Sequence, residues 1–163
     1  MTSRSQRVTA AIQLREIGQY KSACSAFLVL AKDFPDDQRI AYQTAWAHDK
    51  LGEEANAVEF YVRALRGDGL TPDERQGALL GLGSTYRALG HHEESVRTLR
   101  RGVEEFPEDH AVRTFLALAL HDSGQHRAAF NIVLRLLVES SPNEMIKEYR
   151  RPLLEYAQEP DGG

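Results

Sequence analysis

A chain of 163 residues, 42% hydrophobic and 27% charged, has the proportions of a globular protein with one substantial core. Its formal net charge of −4, with no basic stripe, excludes general affinity for nucleic acid. A single cysteine, Cys24, excludes an internal disulfide and any cysteine cluster for a metal, and between Ala23 and Ser25 it reads as a small buried side chain.

In chain order, the apolar spacing predicts helices near 4–17, 20–33, 38–51, 53–66, 72–89, 92–106, 110–123 and 126–140. Asp37 and Asp109 are expected N-caps. Thr71-Pro72, with Glu74 three residues after the threonine, is a capped helix start. The pairs are separated by glycines at 18, 52, 90 and 124, spaced 34, 38 and 34 residues apart. Five residues after each glycine comes Ala23, Ala57, Ser95 or Ala129, and nine after comes Phe27, Tyr61, Leu99 or Val133. Small and large side chains in fixed order are what closely crossing helix pairs require. The longer middle interval is explained by four extra residues within Arg66–Arg75, which lengthen a loop and the helix after it by about a turn. Residues 144–157 carry a further helical pattern that Pro152 would kink or split, and the polar end 158–163 is expected to fray.

These residues resemble the tetratricopeptide repeat family, whose unit is 34 residues long. Leu79, Leu82, Gly83, Tyr86, Gly90, Ser95, Leu99, Gly102 and Pro107 occupy its signature places in the third copy. Leu14, Gly18, Tyr20, Ala23, Phe27 and Pro35 do so in the first. The second copy matches through Ala45, Gly52, Ala57, Tyr61 and Ala64, the fourth through Leu116, Ala117, Leu120, Gly124 and Ala129. The resemblance implies an all-α solenoid, a right-handed α-α superhelix of stacked antiparallel helix pairs. It also implies one domain over 1–163, with repeats at about 4–37, 38–75, 76–109 and 110–143 and a capping helix over 144–157.

In that family the first helix of each pair lines a concave groove that holds peptides. The residues this places inward are Val8, Ile12 and Arg15; Tyr42, Trp46 and Asp49; Leu80, Ser84 and Arg87; and Thr114, Leu118 and His121. Tyr42 and Trp46 stand four apart on one helical face, and with Arg15 and Arg87 they suit an apolar side chain plus a carboxylate. Trp46 also suits simple packing between helices. One subclass of the family clamps chaperone C-termini with Lys, Asn and Arg, but the matching positions here are Val8, Ile12, Gln43, Gly77 and Gly81, or one repeat later Tyr42, Trp46, Gly81, Ala111 and Phe115. That specificity is not expected.

No catalytic site, cofactor or metal is expected. His91-His92-Glu93-Glu94 are neighbours that point in different directions, and Gly81-Leu-Gly83 lies inside a helix, not in a phosphate-binding turn. The longest apolar run, Phe115–Leu120, is too short for a membrane span, and the first residues lead into no signal-peptide core. The expected protein is a cytoplasmic, non-enzymatic interaction scaffold for a peptide or partner protein. The alternative is a self-associating repeat protein, and a homodimer fits either reading.

Overall fold

The computed structural model describes residues 3–158, which form helices and connecting turns with no strand among them. Four antiparallel pairs come first: α1 (Arg4–Glu16) with α2 (Tyr20–Asp33), and α3 (Gln38–Lys50) with α4 (Glu54–Ala64). Next are α5 (Pro72–Ala88) with α6 (His92–Glu105), and α7 (His110–Asp122) with α8 (His126–Ser140). Two short helices close the chain, α9 (Glu144–Glu148) and α10 (Arg150–Tyr156).

The turn within each pair is set by one backbone event. Gly18, Gly52, Gly90 and Gly124 have φ of 79°, 70°, 77° and 82°, the left-handed region that costs a residue with a Cβ about 1–2 kcal/mol. At each, the amide of the next residue bonds back across the turn: Gln19 to the Leu14 carbonyl, Glu53 to His48, His91 to Tyr86 and Gln125 to Leu120. The last carbonyls of the first helix are thereby satisfied and the chain reverses.

The helix starts follow the expected capping chemistry. Asp37 accepts from the Ile40 amide at 3.0 Å and Asp109 from Val112 at 2.7 Å. Thr71 and Glu74 form a reciprocal capping box at 3.2 and 3.0 Å. The four residues inserted before α5 make it 17 residues long, against 13 in α1, α3 and α7. The array continues through the insertion.

Packing repeats with the sequence period. Phe27, Tyr61 and Leu99 are 0–1% exposed, each clasped between its own pair and the first helix of the next. The helix crossing within a pair needs small residues. A Cβ on Gly83 would overlap the Leu99 side chain, and Ser95, fully buried opposite, donates its hydroxyl to the Gly83 carbonyl at 2.7 Å. Besides its pair partner, α5 touches both α3 and α7, and no comparable contact joins α2, α4, α6 and α8. The row α1–α3–α5–α7 is therefore the inner side of the curve, and the second helices form the outer side.

The end of the array departs from the expected single helix over 144–157. Pro152 cannot donate to the Glu148 carbonyl, and the helix breaks at Tyr149 into α9 and α10. Only α10 packs closely on α8, with Ala157 buried and the Tyr156 carbonyl receiving Arg127 at 2.9 Å. The predicted frayed tail lies, apart from Gln158, outside the described residues.

Candidate functional site

The inner row brings together part of the predicted set. The Arg15 guanidinium lies over the Trp46 ring, 3.5 Å from its centroid, and donates to the Gln43 side-chain oxygen. Lys50 approaches the same ring at 5.7 Å. Tyr42 stands one turn before Trp46, its ring 6.4 Å from Tyr61 and its hydroxyl over Gly77, where a Cβ would collide with it. Burial lowers the Arg15 pKa and raises that of Tyr42, the shifts of a partly dry setting that opposes charge on either group. Arg15 Nε is buried and meets no hydrogen-bond acceptor among the described residues. An oriented, half-buried cation on an indole face is a platform for an acidic or polar group of a ligand, with the aromatic edge beside it for an apolar one.

The other predicted residues do not join this cluster. Asp49 accepts from the Tyr61 hydroxyl at 2.6 Å and from Thr85 at 3.1 Å. The approach is possible because Gly81 has no Cβ to block the Tyr61 phenol. Val8 and Ile12 pack on the apolar cluster between the first two pairs, and Leu80 on that between the last two. Arg87 is held by Asp122 at 2.6 Å, so it does not join Arg15 as a second open cation. Thr114 donates to the His110 carbonyl of its own helix at 2.6 Å. Ser84 is half-buried, and Leu118 is exposed. His121 is exposed beside His126, with Nδ1 atoms 3.2 Å apart. Lys50 was not anticipated, and Gln43 only as a position of the chaperone clamp that the sequence does not fit. Lys50 stands four residues after Trp46, a spacing that signals a shared face, whereas the reach of Arg15 to Gln43 had no sequence signal.

Burial raises the Asp49 pKa above the ordinary carboxylate value, while the Tyr61 and Thr85 hydrogen bonds pull it back. A carboxyl that holds its proton more tightly folded than unfolded adds stability at low pH and loses it as pH rises through the folded value. Wild type should therefore gain stability relative to Asp49→Asn as pH falls from 7 toward the ordinary carboxylate range of about 4, in urea titrations at each pH. Glu105 and Glu139, whose pKa values are lowered first by hydrogen bonds from Arg75 and Arg113, push the opposite way in both proteins and cancel from the difference.

A second polar group lies at the junction of α2 and α3. The Cys24 Sγ is 3.7 Å from His48 Nδ1, which meets the Glu53 carboxylate at 2.7 Å, all three donor atoms lying within 4.8 Å. Burial, then the Glu53 charge, pushes the Cys24 thiol up, so it stays protonated. At the next two junctions the same places hold Val58 with Tyr86 and Val96 with Leu120. The thiol and imidazole thus fill a packing position of the repeat.

Comparison with known proteins agrees with this architecture. A family profile described as "Tetratrico peptide repeat" matches residues 38–160, and another described as "Tetratricopeptide repeat" matches residues 9–37. Superkiller protein 3 of Saccharomyces cerevisiae is 28% identical over 98 residues, 60% of this chain and 7% of its own length. Aspartyl/asparaginyl beta-hydroxylase of Mus musculus is 28% identical over 145 residues, 83% of this chain and 19% of its own length. The chain thus spans less than a fifth of either relative. Among solved structures, MamA protein superposes with a TM-score of 0.74 at 14% identity, covering 93% of this chain and 76% of that one. The Cut9–Hcn1 hetero-tetramer of APC/C does so with 0.73 at 17%, covering 98% and 30%. These two likenesses establish the fold. With the profile spanning 38–160 and the glycine-punctuated helix pairs in register, the chain belongs to the tetratricopeptide repeat family.

Proposed function

We propose that this protein is an interaction scaffold whose inner face binds a segment of a partner protein, anchored on Arg15, Tyr42 and Trp46. The observation that carries the reading is the half-buried Arg15 guanidinium stacked on Trp46. A side chain of the partner bearing a carboxylate or carbonyl would meet its terminal nitrogens, since Nε is shielded, and its apolar neighbour would lie against the indole. Aromatic and arginine side chains in partly dry surroundings are the usual hot spots of an interface, each worth about 2 kcal/mol or more. Family membership supports the scaffold role in general, and the segment's chemistry follows from the side chains of this particular face.

The test is affinity capture from the native cell extract with wild type, Trp46→Ala and Arg15→Ala side by side. Both variants should lose most of the captured partner, about thirtyfold in affinity for a loss of roughly 2 kcal/mol, while far-UV circular dichroism stays unchanged. Equal capture by all three folded proteins would remove the inner face from consideration.

A further inference from the structure

The outer end of the array carries an apolar stripe that its counterparts cover. Phe130, Val133 and Leu137 of α8 are 52%, 52% and 45% exposed. They stand six, nine and thirteen residues after Gly124. The same places are Cys24, Phe27 and Ala31 in α2, and Val58, Tyr61 and Leu65 in α4. In α6 they are Val96, Leu99 and Val103. Seven of these nine side chains are buried, and the other two, Val58 and Val103, pack on the clusters. In each case the cover is the first helix of the following pair, through Ile40, Thr44 and Ala47 or their equivalents. The stripe on α8 is thus a helix-docking surface in register, without its helix.

The chain's own next segment does not supply one. Residues 144–156 fall in the place of a fifth first helix, but Arg150 stands where Thr44, Leu82 and Leu116 dock, and Pro152 breaks the helix. The piece that remains, α10, is fastened elsewhere on α8, its last carbonyls receiving Arg127 and Arg135. The opposite end of the array differs. There the outward docking positions of α1 are Gln6, Ala10 and Gln13, all exposed. Repeat arrays need such polar end faces to stay soluble. The α1 face is polar and the α8 face is apolar.

We propose that the stripe is covered by a second copy of this chain, α8 against α8, antiparallel about a two-fold axis near Val133. Three observations favour this occupant. The exposed face of α8 runs His126, Phe130, Val133, Leu137 and Ser140, flanked by Arg127, whose guanidinium lies 5.8 Å from the Phe130 ring, and by exposed Glu139, and an antiparallel copy sets these opposite charges facing each other. Centred on Val133, an antiparallel copy sets Phe130 against Leu137 of the other chain and brings each His126 to the C-terminal end of the opposing helix. Phe130, Val133, Leu137, Met145, Tyr149 and Tyr156 are all 45–58% exposed. Together they leave on the order of 500 Å² of apolar surface at this end, against roughly 800 Å² per partner in a stable interface. Head-to-tail stacking is disfavoured, because docking α1 on α8 would bury Gln6 and Gln13 amides against Phe130, Val133 and Leu137, at about 1–3 kcal/mol for each group left unpaired. A closed two-fold dimer results, with both inner faces left open to partners.

The experiment is sedimentation equilibrium on the full chain from about 1 to 200 μM, with Val133→Glu and Val133→Lys variants alone and mixed. Wild type should reach twice the 18.3 kDa chain mass. Each variant alone should associate at least about a hundredfold more weakly, since two like charges would meet at the axis. An equimolar mixture should recover a dimer. Val133 is half exposed in the single chain, so thermal unfolding of the dilute variants should match that of dilute wild type and exclude misfolding. A wild type monomeric at 200 μM overturns the proposal, even if another protein binds at Phe130 and Val133. A dimer untouched by either variant overturns it too, and a mixture that stays monomeric overturns the antiparallel pairing.

Discussion

Replacing Tyr61 by Ala is expected to cost about 3–5 kcal/mol, a large share of the 5–15 kcal/mol that holds a domain of this size. The phenol is 1% exposed and joins three elements at once. Its ring sits among Ala45, Ala57, Ala78 and Leu82 and lies 6.4 Å from Tyr42, and its hydroxyl donates to Asp49. Truncation opens a cavity and leaves Asp49 half-buried with only Thr85 beside it, a hydroxyl already bonded to the Gly81 carbonyl at 2.7 Å. Tyr61→Phe separates the two effects. It keeps the ring and should cost about 1–3 kcal/mol for the carboxylate's lost partner. Urea denaturation of the three proteins at pH 7 measures both, and a Tyr61→Ala loss below that of Tyr61→Phe would contradict the packing account.

Leu99→Ala should likewise cost about 2–5 kcal/mol, while Val133→Ala at the same place in the last pair should change stability by less than about 0.5 kcal/mol. Both residues stand nine after a turn glycine. Leu99 is fully buried, pressed against Gly83 and covered by α7, and Val133 is 52% exposed because no helix follows α8 in register. The contrast isolates the contribution of the next pair's cover from that of the repeat's own pair. The measurement is made at protein concentrations well below association, so that the stripe faces water. Similar losses for the two variants would mean that the last pair is covered after all.

The architecture was legible because one residue type carries it. A left-handed turn demands glycine, so Gly18, Gly52, Gly90 and Gly124 mark the pairs, and the small residue five places on marks each crossing. Pro152 was legible as a break, but its consequence was not. That a broken helix leaves Phe130, Val133 and Leu137 bare emerges only when the four second helices are superposed in register and their burial compared. The inner face was assigned through the family resemblance and not read from spacing. It was not legible in its partners, because long side chains choose among several. Asp49 turned to Tyr61, Arg87 to Asp122 and Arg15 to Trp46. One signal could have helped with the second of these: Arg4–Asp37, Arg39–Glu74 and Arg87–Asp122 join opposite charges 33 or 35 residues apart, close to one repeat period. Such exposed pairs contribute at most about 1 kcal/mol each, but they occupy cations that would otherwise count toward a binding face.

The inner-face platform is tested most directly by the emission of Trp46, the sole tryptophan, during titration with the captured partner segment. Stacked beneath Arg15 and only partly buried, the indole should shift to shorter wavelength and saturate with the binding isotherm. In Arg15→Ala the same titration should move to at least about tenfold higher concentration. Binding that saturates with no change in Trp46 emission, and with the same affinity in Arg15→Ala, would place the partner on another surface and contradict the assignment.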